Sequence, residues 1–144
     1  MKRGLLVIAL GIVFLVLMTW IGTFLDSVVL HPVTAQVQTA QVDSYHLTLH
    51  VKPNPPVASH PATLSIQVVS SISQQPVTNA KVILTSSMVT MDMGTDSVEA
   101  QSQSNGMYLA TVQFAMSGTW QIQVIFTRPG EKQPISASFE VGVQ

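Results

Sequence analysis

From residue 45 onward the chain alternates. Tyr45, Leu47, Leu49 and Val51 interleave with His46, Thr48, His50 and Lys52, a period of two that predicts a strand with one buried and one wet face. Pro53, Pro55 and Pro56 end it, because proline cannot donate to a sheet ladder. Leu64, Ile66 and Val68 alternate with Ser65 and Gln67 in a second strand, and Gln74 to Asn79 reads as a turn region. Lys81 to Thr85 predicts a third strand, and Ser97 to Ser102 a weaker one held by Val98 and Ala100. Ser104-Asn105-Gly106 is a hairpin signal, since Asn-Gly readily supplies the positive φ angles of a tight turn. Met107 to Phe114 follows as a strand. After a break at Gly118, Trp120, Ile122, Val124 and Phe126 share one face of the next. Arg128-Pro129-Gly130-Glu131 marks another turn, and Ile135, Ala137, Phe139, Val141 and Val143 form the last alternating face. About seven short strands with turn signals roughly every 8–12 residues predict an all-β fold, an antiparallel β-sandwich. No segment after residue 42 has helical periodicity. Tyr108, two residues after a turn glycine, reads either as the tyrosine corner of immunoglobulin-like folds or as an ordinary core tyrosine.

The N-terminus follows a different rule. After Lys2 and Arg3, Gly4 to Leu25 runs for 22 residues without a charged side chain. As a helix that run spans about 33 Å, close to the thickness of a bilayer core. Trp20 sits near its outer end, where an indole suits the membrane–water interface, and Asp26 closes it. A cleaved secretory signal is the competing reading, with Val33-Thr34-Ala35 as a small-residue cleavage site, but its apolar region usually runs about 7–15 residues. The length favours an uncleaved, single-pass transmembrane helix at 1–25. Lys2 and Arg3 then stay on the cytoplasmic side and the rest of the chain is extracytoplasmic. Residues 26–42, which carry no charge after Asp26, read as an extended stalk, and 43–144 as the domain.

Composition removes several chemistries. Without cysteine there is no disulfide, thiolate metal site or Cys nucleophile, so the domain must rest on its apolar core. Beyond the anchor, four Lys or Arg face seven Asp or Glu, a net charge of −3 that ill suits a nucleic-acid partner. No catalytic signature such as Gly-x-Ser-x-Gly or His-Glu-x-x-His occurs, and an enzyme is not expected. His46 and His50 share a face of one strand but stand about 13 Å apart, too far for one ion to bridge. They read as polar residues on the wet side of a sheet. Asp92 and Asp96 lack the density of a calcium loop.

Methionine is the informative residue. Five of seven lie in the domain: Met88, Met91, Met93, Met107 and Met116. Three of these crowd the segment Ser87 to Thr95, which reads as a loop. A thioether is a soft, uncharged ligand that suits Cu(I) and serves calcium or magnesium poorly. Methionine also fills irregular core gaps, so packing is the competing reading.

Met88-x-x-Met91-x-Met93, then Asn105-Gly106-Met107-Tyr108, then Met116-Ser117-Gly118-Thr119-Trp120 resembles the YtkA-like domain family, related to FixH-like proteins, over roughly residues 45–144. The resemblance implies an immunoglobulin-like sandwich beside a membrane helix. It also implies a part in delivering copper to a membrane protein complex such as a respiratory oxidase. By position, Met88, Met91, Met93 and Met116 match the family's methionines, Tyr108 its tyrosine and Trp120 its tryptophan. Val89 stands where the family often has proline after the first methionine. The expected function is thus a membrane-anchored module binding or passing on Cu(I) through those four methionines. The alternative is a non-metal assembly domain that docks on a membrane complex.

Overall fold

A computed structural model describes residues 35–144, together with Gly11, Val13, Phe14, Val16 and Met18. Those five are helical, with exposed side chains wherever one exists. The rest of the expected membrane span, and the stalk up to residue 34, lie outside the described residues. Among the described residues no helix is long and apolar enough to cross a membrane.

Residues 35–144 contain nine strands, β1 (Val37–Val42), β2 (Tyr45–Lys52), β3 (Pro61–Ser70), β4 (Lys81–Met88), β5 (Asp96–Glu99), β6 (Gln101–Ser102), β7 (Met107–Gln113), β8 (Gly118–Thr127) and β9 (Ile135–Val143). They form two antiparallel sheets, ordered β1-β2-β3-β7-β6 and β5-β4-β8-β9. The alternation read from the sequence is the alternation of burial. In β2, Tyr45, Leu47, Leu49 and Val51 are buried while their neighbours face out; in β8, Trp120, Ile122, Val124 and Phe126 are buried. Buried side chains from both sheets make one continuous core, in which Tyr108, Phe114 and Phe126 are the largest fully enclosed.

Three features depart from the expected layout. The sheet begins at Val37, inside the segment read as stalk. β1 pairs with β2 through a two-residue turn at Asp43-Ser44, with Asp43 at φ +51°. Its inward positions Ala40 and Val42 are small and only half-buried, so its alternation is weak in the sequence. The weak strand expected over 97–102 is two short strands in different sheets, parted at buried Ala100, whose N–H donates to the Val82 carbonyl at 2.9 Å. β4 runs to Met88, three residues past its expected end. The Asn105-Gly106 turn forms as expected, both residues at positive φ (+60° and +68°) between β6 and β7.

Two of the ties that close the sandwich stand out. At one open side, the Gln38 Nε2 of β1 donates to the Glu140 carbonyl of β9 at 2.6 Å. Inside, the Tyr108 hydroxyl donates to the Val77 carbonyl at 2.7 Å and accepts from the Ala80 N–H at 3.1 Å. These partners lie 28–31 residues upstream in the β3–β4 connection, so Tyr108 is a core tyrosine clamping a crossover. A tyrosine corner would instead tie back a few residues.

Tyr108→Phe keeps the ring but leaves both backbone groups without that partner. An unsatisfied buried group costs about 1–3 kcal/mol, and the variant should lose about that much in urea unfolding, with an unchanged m-value. A loss below about 0.5 kcal/mol would mean that water replaces the hydroxyl without penalty.

Candidate functional site

The methionines gather at one end of the sandwich, and backbone geometry explains how. Met88 is the last residue of the inward column Val82, Leu84, Ser86 on β4 and stands opposite Trp120 on β8. The Val89 N–H still bonds the Thr119 carbonyl at 3.0 Å, after which the chain leaves the sheet. The β7–β8 connection reaches the same end. There the Trp120 Nε1 donates to the Met116 carbonyl at 3.0 Å, and the Trp120 ring meets Phe114 edge-on at 5.3 Å between centroids. Gly118 completes the seat. Its φ is +137°, and a Cβ added there would come within 2.5 Å of the Met88 Cε. The absent side chain is the space that the Met88 methyl occupies. Met88 and Met116 are accordingly half-buried and packed on the core.

Met91 and Met93 are placed differently. Both lie on the loop between β4 and β5, 49% and 48% exposed, with Val89 beside them at 54%. The chain turns rather than running extended, since the Gly94 N–H donates to the Asp92 Oδ1 at 3.3 Å and Gly94 has φ +85°. An open depression of about 330 Å³ is lined by Met88, Met91, Asp92 and Gly94 with Ser87, Val89, Thr90 and Thr95. Met88 and Met91 therefore share one surface, while Met93 and Met116 are not part of that lining. The lining is also not made of neutral residues alone, since it includes Asp92 alongside Ser87, Thr90 and Thr95. The sequence weighs Asp92 only with Asp96, as a cation-binding pair too sparse for a calcium loop, and Gly118 only as a strand break within the Met-x-Gly-x-Trp motif. The signal for both is their position, Asp92 between two methionines and Gly118 between Met116 and Trp120.

The histidines lie elsewhere. His46 and His50 point from the outer face of β2, alternating with buried Leu47 and Leu49. His60 is exposed with its Nδ1 at 3.0 Å from the Ala58 carbonyl. Among the described residues, no three His, Asp or Glu come together in a way that could hold a metal ion. At the opposite end, the Arg128 Nη1 donates to the Tyr45 hydroxyl at 2.7 Å and stands 3.6 Å from Glu131; the Tyr45 hydroxyl donates to Glu131 at 3.2 Å. The bond to Tyr45 raises the Arg128 pKa from its ordinary value.

A protein-family model described as YtkA-like matches residues 39–125, from within β1 to within β8. The matched span starts earlier than the sequence motifs indicate and stops before β9, and it contains all four candidate methionines. No curated protein matches the sequence.

Gly118→Ala tests the seat. The new methyl displaces the flexible tip of Met88, and the φ of +137° strains any residue with a Cβ. Unfolding should be easier by about 1–3 kcal/mol. Adding Met88→Ala should relieve the collision and leave the backbone strain, so the double variant should be destabilised by less than the two single effects added.

Proposed function

The chain belongs to the YtkA-like family, and from that premise and the geometry above we propose a membrane-anchored, extracytoplasmic, immunoglobulin-like module that binds Cu(I) through methionine and passes it on without catalysing a reaction. The observation that carries this reading is the exposure of Met91 and Met93. Core packing accounts for Met88 and Met116, which lie against the core, but not for two methionines about half in water on one turn. Met88 and Met91 border one depression that a soft ion could enter, and Met93 is two residues from Met91 in the chain. Asp92 adds one negative charge, enough to neutralise a monovalent cation. An open, shallow site of this kind favours transfer over storage. The receiving partner that the family resemblance suggests is a membrane complex such as a respiratory oxidase.

One observation supports a second reading. Val89, Met91 and Met93 together make an exposed apolar tip, which suits docking on a partner with no metal involved. Competition for Cu(I) separates the two. The detergent-solubilised full chain should take Cu(I) from a chelator. Met91→Leu/Met93→Leu should weaken that affinity at least about tenfold, or ~1.4 kcal/mol, while folding stability changes by less than about 1.5 kcal/mol because leucine keeps volume and apolarity. Equal uptake by the double variant, or none by the wild type, would leave docking as the function.

The topology has its own test. A 22-residue uncharged run behind Lys2 and Arg3 supports a single span with the domain outside. Protease added to intact spheroplasts should digest residues 45–144 and leave a short membrane-bound stub. Full protection would reject the orientation, and a mature chain beginning near Gln36 would show a cleaved signal.

A further inference from the structure

We propose that Met91 and Met93 form a sulfoxidation site, at which peroxide switches off the affinity of this loop for a soft metal ion. The sulfoxidation stands on the structure by itself; the switch rests on the Cu(I) reading above. Four of the domain's five methionines fall into two environments. Met91 and Met93 are 49% and 48% exposed on a turn, whereas Met88 and Met116 are packed against the core. Access of oxidant to the sulfur lone pair governs the reaction. The thioether sulfur attacks one peroxide oxygen, an S–O bond forms as the O–O bond breaks, and the second oxygen leaves as water. Sulfur is oxidised by two electrons to the sulfoxide and the peroxide is reduced by two. Sulfoxide reductases reverse the change, one for each epimer.

Placement on the loop or against the core decides whether the fold tolerates the new oxygen. With Met91 and Met93 about half in water on a loop, a sulfoxide at either can be solvated without opening the sandwich. On Met88 the same oxygen would press toward Gly118 and the inner column, since the Met88 methyl already fills the glycine's missing side chain. Among Met88, Met91, Met93 and Met116, the fold thus confines tolerable oxidation to the loop pair. There it replaces a soft sulfur donor by a hard oxygen donor, which Cu(I) disfavours.

The test treats the full chain in detergent and chloride-free buffer with hydrogen peroxide, and reads each methionine by peptide mass mapping. Met91 and Met93 should each gain one oxygen at least about tenfold faster than Met88 and Met116, with the near-ultraviolet circular dichroism of the domain unchanged. The reaction is repeated with Ag(I), a redox-inert soft ion that stands in for Cu(I). Ag(I) should slow Met91 and Met93 and leave Met107 untouched. Met107 is 40% exposed but sits on β7 opposite Gln67 rather than beside other methionines. Oxidation of Met88 and Met116 at the loop's rate, or loss of the dichroism signal before the loop is oxidised, overturns the proposal. Selective oxidation that Ag(I) does not slow upholds the sulfoxidation site and overturns the metal reading on which the switch rests.

Discussion

The domain is held by a single apolar core to which every long strand gives alternate side chains. The chain has no cysteine, so no disulfide shares the task. Burial of that core is the main force opposing the entropy of ordering about 110 residues. This constraint dictates where chemistry can be. Positions facing inward on β2, β3, β4, β7, β8 and β9 are claimed mainly by Leu, Ile, Val, Phe, Tyr and Trp, with Ala62, Ser86, Ala110 and Ala137 between them. Positions facing outward along the sheets are mainly Ser, Thr and Gln, which solvate the strands and offer little to a ligand. Distinctive donors are left to the loops at the two ends, and there they occur: a Tyr45–Arg128–Glu131 knot at one and the methionines at the other.

At the methionine end, core and loop meet in one residue. Met88 packs on the core and also lines the depression that Met91 shares. Its position is fixed from three sides: the ladder to Trp120, the Val89–Thr119 bond just beyond it, and the empty Cβ position of Gly118 under its methyl. The indole of Trp120, bonded to the Met116 carbonyl, sets the neighbouring turn. Loss of packing beneath would therefore be felt at the loop, and this gives the Met-x-Gly-x-Trp string a physical meaning. The glycine makes room, the tryptophan anchors, and the first methionine of the loop is seated between strand and turn.

How much of this is legible in the sequence depends on the range of each interaction. Period-two patterning is local, and β2, β3, β7, β8 and β9 are legible from Tyr45, Leu64, Tyr108, Trp120 and Phe139 with their alternate neighbours. β1 is not, because Ala40 and Val42 cover only the seam toward β9 and bury little. The split of 97–102 is hidden because both pieces are short, four and two residues, and the Ala100 at which the chain changes sheets is neither a glycine nor a proline. The Tyr108 hydroxyl is ambiguous for a different reason: its partners Val77 and Ala80 are distant in sequence, and only the fold brings them together. The methionines are legible as residues of interest, yet their division into packed and exposed pairs depends on where β4 ends. The alternation runs out at Thr85, whereas the ladder to β8 continues to Met88.

That division bears on the purpose of the loop. Burying a methionine side chain fully contributes about 1.5–3 kcal/mol, so leaving Met91 and Met93 half in water forgoes on the order of 1 kcal/mol at each. A polar residue at either position would solvate the turn without that loss, as Thr90, Asp92 and Thr95 around them do. The fold gains nothing evident from sulfur there, since the turn is already set by Asp92 bonding the Gly94 N–H. The exposed methionines therefore support the proposal that something approaches from outside. A soft ion, an oxidant and an apolar partner all recognise the same property of methionine, a polarisable sulfur on a flexible and uncharged stem. The copper and docking readings differ in whether sulfur itself is required, and leucine at 91 and 93 separates them because it changes the donor while keeping the shape.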